Sequence, residues 1–136
     1  MNIEEEIEIY GKMGFNQSQL VQISLGLENS LNVSYYAKPE FNCHQMHEIF
    51  QGLQHELDVS YYAKSEFNWA QMKQIRDGLE NNLDVFCYAR SEFNCHQMYE
   101  IFQGLQQKLN VSCYAKLKYN CYQMEKIRLR LLSEVK

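Results

Sequence analysis

The chain repeats itself every 26 residues, and no other property so restricts what it can fold into. Leu31 to Glu56 reads LNVSYYAKPEFNCHQMHEIFQGLQHE. The segments from Leu57, Leu83 and Leu109 read LDVSYYAKSEFNWAQMKQIRDGLENN, LDVFCYARSEFNCHQMYEIFQGLQQK and LNVSCYAKLKYNCYQMEKIRLRLLSE. A weaker copy comes first, with Tyr10, Phe15, Asn16, Gln19, Leu20, Ile23, Gly26 and Leu27 at the same phase. Such a period marks stacked supersecondary units, none of which can bury its apolar face alone. The expected fold is all-α, a short α-solenoid of about five repeats, each one short helix plus one long helix. The expected organisation is a single domain over 1–136. It comprises a degenerate N-terminal cap repeat (1–30), full repeats at 31–56, 57–82 and 83–108, and a C-terminal cap repeat (109–136).

Within one repeat the helices can be placed by their ends. Asn68 precedes apolar residues at Met72, Ile75 and Leu79, one stripe of a helix. Gln71, three residues after Asn68, completes a capping box, and Phe67 with Met72 makes a hydrophobic staple. The set recurs at Phe41, Asn42, Gln45 and Met46, at Phe93, Asn94, Gln97 and Met98, and at Tyr119, Asn120, Gln123 and Met124. Capping explains both the identity and the spacing of these Asn and Gln residues, which a base-reading role would leave unexplained. The long helix should run about 13 residues, roughly 20 Å. Asp58 should cap a second helix over Val59 to Ala63, one to two turns long, and Asn32, Asp84 and Asn110 repeat that cap. Pro39 falls just after the equivalent short helix, where helix must already have ended.

Gly26, Gly52, Gly78 and Gly104 interrupt the long helices, each at about 1 kcal/mol relative to alanine. A cost repeated four times implies close approach by the following unit. Arg130 takes the glycine's place in the last copy, beside Leu129 and Leu132, which either cover an end of the stack or contact another chain. Tyr36, Tyr62, Tyr88 and Tyr114 sit at one phase before an alanine and read as packing residues.

Charge is unevenly placed. Residues 1–56 carry eight acids and two bases, a net of −6, whereas from Leu109 onward six bases face two acids. The overall net of −4 argues against a dedicated nucleic-acid binder, which needs a basic face. The five cysteines, Cys43, Cys87, Cys95, Cys113 and Cys121, recur at shared phases about 8–10 Å apart, beyond disulfide reach, so free thiols are expected. Cys43 and His47 form an i, i+4 pair, but zinc needs about four converging ligands and the third unit has Tyr99 in place of the histidine, so no metal or other cofactor is expected. No apolar run reaches the length of a membrane span, and the acidic start differs from a secretory leader. A soluble, cytoplasmic protein is expected, monomer or homodimer.

The run Tyr62-Ala63-Lys64-Ser65-Glu66-Phe67-Asn68-Trp69-Ala70-Gln71-Met72, continuing through Ile75-Arg76-Asp77-Gly78-Leu79 to Leu83-Asp84-Val85, resembles a family of tandem short helical repeats. Those repeats read approximately YAKPEFNWxQMxxIRxGLxxGLDVS and occur in proteins of Gram-positive bacteria, their phages and conjugative elements. The resemblance covers about residues 7–134. It implies a setting of mobile elements, where small acidic proteins bind and block host defence machinery. The chain departs from the pattern at Cys43, Cys95 and Cys121, where the family has tryptophan, and at Phe50 and Phe102, where it has arginine.

Where packing residues stay fixed, function is carried by positions that vary. One variable stripe runs i, i+4, i+7, i+11 along each long helix: Cys43, His47, Phe50, Gln54; Trp69, Lys73, Arg76, Glu80; Cys95, Tyr99, Phe102, Gln106; Cys121, Glu125, Arg128, Leu132. If exposed, His47, Phe50, Trp69, Lys73, Arg76, Tyr99, Phe102 and Arg128 form the aromatic and arginine mixture of binding hot spots. If not, the aromatics cover the groove between repeats as core. No nucleophile, base and orienting group recur together, so a non-enzymatic protein-binding module is expected. With the mobile-element setting, it becomes an inhibitor of a bacterial defence effector such as a CRISPR nuclease. The alternatives are a nucleic-acid-binding repeat using Lys73, Arg76, Lys126, Arg128 and Arg130, and a small-molecule or nucleotide-sequestering protein.

Overall fold

The structure, a computed structural model, describes residues 1–135. Among them are six α-helices and no strand: α1 (Ile3–Lys12), α2 (Gln17–Glu28), α3 (Cys43–Gln54), α4 (Trp69–Glu80), α5 (Cys95–Gln106) and α6 (Cys121–Glu134). The fold is all-α and repeats as a short α-solenoid should. The chain divides into two compact units, 1–72 and 73–136, with the division inside α4. In the first unit α1 packs on α2 and α2 on α3; in the second α5 packs on α6.

Each long helix begins as its sequence dictates. In α2, α3, α5 and α6 the cap asparagine accepts the N3 amide and the N3 glutamine accepts the cap amide, and Asn68 and Gln71 exchange the same two bonds at 2.9 and 2.8 Å. The glutamine has a further use that involves the next repeat. Its Nε2 donates to the carbonyl of the residue before the following cap, from Gln19 to Phe41, from Gln45 to Phe67 and from Gln97 to Tyr119, at 2.7–2.8 Å. One side chain thus closes a helix start and binds the succeeding loop, and Gln19, Gln45 and Gln97 are buried with every hydrogen-bonding end engaged.

The short helix is shorter than its sequence suggests. It is a single 3-10 turn of three residues at Val33–Tyr35, Val59–Tyr61, Val85–Cys87 and Val111–Cys113. Its cap does not reach an N3 amide. Asn32, Asp58, Asp84 and Asn110 accept from the amide two residues on, an Asx-type turn that closes the backbone too tightly for an α-helix to propagate.

Helices α2 to α5 end without glycine in a Schellman motif. After α2, the Leu31 amide donates to Gly26 O and the Ser30 amide to Leu27 O, with Ser30 at φ 58°. Glu56, Asn82 and Lys108 hold the same left-handed conformation. A side chain there costs about 1 kcal/mol or more, which the tertiary packing of Leu31 and its equivalents offsets.

Helix glycine and tyrosine form one joint. The hydroxyls of Tyr36, Tyr62, Tyr88 and Tyr114 donate to the carbonyls of Gln22, Glu48, Gln74 and Glu100 at 2.6–2.7 Å. All four rings are fully buried. A Cβ on Gly52 would overlap the Tyr62 hydroxyl and lie 2.6 Å from Val59 Cγ1, and the other three glycines repeat this crowding. The expected close approach is therefore made by the tyrosine of the next repeat. Around these joints the cores consist of Phe41, Met46, Ile49 and Phe67 in the first unit and Phe93, Met98, Ile101 and Met124 in the second.

Burial of the phenols has a pH consequence. It pushes Tyr36, Tyr88 and Tyr114 well above the ordinary tyrosine value, only partly opposed at Tyr36 by the Gly26 amide. The folded chain then holds these protons more tightly than the unfolded chain, so stability is complete below about pH 10 and falls as pH rises beyond it. Phenolate absorbance followed with circular dichroism should show these buried phenols ionising only as helix is lost. All ten tyrosines titrating together on an intact helical protein would contradict the joint.

Candidate functional site

The first two turns of the long helices carry the residues that capping and packing leave over. In the first unit Ser18, Val21 and Gln22 of α2, Cys43, His44, His47 and Glu48 of α3, and Trp69 line one open groove. In the second, His96, Tyr99 and Glu100 of α5 with Cys121, Tyr122 and Glu125 of α6 line another. The two grooves are built from the same helix phases, since His44 and His96, Glu48 and Glu100, and His47 and Tyr99 are 52 residues apart. Side chains of the first two turns of consecutive long helices border each groove.

Trp69 is 47% exposed, Tyr99 43% and Tyr122 79%. Trp69 leans on the His44 ring at 6.3 Å between centroids. His47 is half-buried, its Nδ1 3.2 Å from Gln22 Oε1 and its ring 6.2 Å from Phe50. Tyr99 stacks on Phe102 at 6.3 Å and accepts a hydrogen bond from Gln103 Nε2. Tyr99 thus stands on a buried ring, which fixes its orientation at little entropic cost, whereas Trp69 leans on an exposed histidine.

The predicted stripe is only partly surface. Trp69, Tyr99 and Lys73 are exposed, and His47 and Arg76 half-buried. Phe50 and Phe102 are 5% and 9% exposed: they belong to the core and leave the contact set, because the i+7 position turns inward between neighbouring helices. Arg128 leaves it too, since its Nε is 3.0 Å from Glu100 Oε1 and its Nη1 3.0 Å from Gln107 Oε1 in a buried pair. Of the two residues assigned to self-association, Leu129 is half exposed and Leu132 half-buried.

His44, His96 and Tyr122 are groove residues that the stripe passes by, because they lie one position beyond its first phase. The available signal was that this phase also varies: Ser18, His44, Ala70, His96, Tyr122. The cations that a nucleic-acid surface would use are largely engaged by carboxylates. Lys73 meets Asp77 at 3.0 Å, Arg76 pairs with Glu80, and Arg128 with Glu100. All five cysteines are free thiols, and among the described residues no three His, Cys, Asp or Glu side chains converge on a metal-sized site. No helix among them is long and apolar enough to cross a membrane. Compared with protein-family models, curated proteins and solved structures, the chain matches none.

Proposed function

We propose that this chain is a non-enzymatic protein-binding repeat module whose contacts are made by two grooves, one in each unit, at the N-terminal halves of the long helices. The observation that carries the reading is the placement of the exposed rings Trp69, Tyr99 and Tyr122 in the first two turns of the long helices, where they line the two grooves. Rigid aromatic anchors at the rim of a groove are the residues that dominate protein interfaces. The finer reading, that the partner is a bacterial defence effector blocked by an element-encoded inhibitor, rests on the family resemblance and on the acidic first half of the chain.

The test is affinity capture from a bacterial host lysate with the wild-type chain and with Trp69→Ala and Tyr99→Ala. A retained partner should bind each variant about 5- to 150-fold more weakly, as loss of about 1–3 kcal/mol per hot spot requires. Undiminished capture by both variants would place the contact face elsewhere. A steep salt dependence of binding to nucleic acid in a gel-shift titration would favour the nucleic-acid reading instead.

A further inference from the structure

We propose that the groove of the second unit, between α5 and α6, takes the guanidinium of an arginine carried by the protein partner. The inference rests on the groove reading and adds to it the chemistry of the occupant.

The lining itself points to a cation. Tyr99 and Tyr122 supply aromatic rings, Glu100 and Glu125 carboxylates, and His96 and Cys121 the rest of the wall, with no lysine or arginine among them. The groove holds about 200 Å³, room for one long side chain and too little for a drug-sized or nucleotide-sized ligand. Tyr122 and Glu125 lie three residues apart on α6, so both stand on one face of that helix. Tyr99 lines the groove from α5, which packs directly against α6. Its ring stacks on Phe102 and its hydroxyl accepts from Gln103, so an entering cation meets a ring already held in place.

The two carboxylates differ in what they have left to offer. Glu100 is buried, and Arg128 meets its charge at 3.0 Å. Glu125 is exposed, and among the described residues no cation pairs with it. The groove therefore presents one carboxylate without a cation beside two tyrosine rings. A guanidinium suits that combination, because its plane stacks on an aromatic ring while its N–H groups reach a carboxylate; a lysine ammonium is a strongly hydrated point charge. The partial positive charge of a helix N-terminus disfavours a cation, but it fades beyond the first turn, and Tyr99, Glu100 and Glu125 stand in the second.

The same helix phases in the preceding pair of repeats sharpen the assignment. The residues 52 positions before Tyr99, Tyr122 and Glu125 are His47, Ala70 and Lys73. All three differences favour a cation in the second groove: an imidazole gives way to a phenol, a methyl to a second phenol, and an ammonium to a carboxylate. Cys121 in place of Trp69 is the one exchange that removes a ring, and its smaller side chain leaves space beside Tyr122 for a guest.

Nuclear magnetic resonance titration with three capped peptides, Gly-Gly-X-Gly-Gly with X arginine, citrulline or lysine, tests this. Citrulline keeps the shape of arginine without its charge. The arginine peptide should shift the ring resonances of Tyr99 and Tyr122, the citrulline peptide should bind at least about fivefold more weakly, and the lysine peptide should fall between them. Glu125→Gln and Tyr122→Ala should each weaken arginine binding about two- to fivefold, whereas Tyr122→Phe, which keeps the ring, should bind as the wild type does. Both altered side chains are solvent-exposed, and the citrulline comparison needs no variant at all. Equal binding of the arginine and citrulline peptides, shifts confined to residues outside this groove, or full affinity in Glu125→Gln would each overturn the proposal. The groove reading has its own failure, undiminished capture of a partner by both Trp69→Ala and Tyr99→Ala, so weakened capture without an arginine preference would remove only the occupant.

Discussion

Replacing Gly52 with alanine is expected to destabilise the protein by about 3 kcal/mol, although the same change at an open helix position stabilises by about 1 kcal/mol. The added methyl would sit 2.6 Å from Val59 Cγ1 and overlap the Tyr62 hydroxyl. Neither neighbour can step aside easily. Val59 is held in a 3-10 turn, and Tyr62 is fully buried with its hydroxyl bonded to Glu48 O at 2.6 Å. Moving the ring breaks that bond as well as the packing, so overpacking and a lost buried hydrogen bond add. Gly11 supplies the internal control. It lies in α1, where a new Cβ would meet only Leu20 Cδ1 at 3.7 Å, an ordinary contact. Gly11→Ala should therefore raise stability while Gly52→Ala lowers it, and urea midpoints of the two variants check the opposite signs. A neutral or stabilising Gly52→Ala would mean that the tyrosine joint has slack the structure does not show.

This joint was half legible in the sequence. Four glycines at one phase announced a close approach, because a repeated helix penalty needs a repeated cause. That tyrosine makes the approach needed the geometry, since Tyr36 and its equivalents lie ten residues beyond the glycines they cover. The capping boxes were readable from Asn and Gln spacing alone because both partners lie within one turn. The second role of Gln45 was hidden, because its acceptor is Phe67 O, 22 residues on. The left-handed helix ends were hidden for a different reason: Ser30, Glu56, Asn82 and Lys108 share no residue type, and none is the glycine that usually marks the position. In the candidate site, variability picked out positions within one helix position of the groove residues but could not say which varying residues face inward. Phe50 and Trp69 both vary, and only the packing of neighbouring helices buries one and exposes the other.

Arg128→Met is expected to cost about 3–5 kcal/mol, because it leaves the buried Glu100 carboxylate without a compensating charge and Gln107 Oε1 without its donor. Restoring neutrality should recover most of that loss. In the double variant Glu100→Leu with Arg128→Met no charge remains to be desolvated, so its urea midpoint should return close to the wild type or exceed it. The double-mutant cycle would then show a large coupling across 28 residues of sequence between side chains in contact. A pair that adds little net stability suggests a different use, and its distribution indicates one. The glutamate phase is acidic only at Glu48 and Glu100, and the arginine phase basic only at Arg76 and Arg128, with Phe50 and Phe102 in the alternate repeats. The 26-residue units thus fall into two types, and two units of one type stacked together would set a buried glutamate against phenylalanine. The Glu100–Arg128 pair penalises such misregistered stacking among near-identical segments, which otherwise could exchange places during folding. The double variant should therefore equal the wild type in stability yet refold more slowly or with a misfolded fraction, measurable as an added slow phase in refolding from urea. A single variant losing less than about 1 kcal/mol would remove the premise, and a double variant refolding with wild-type kinetics would remove the registry role.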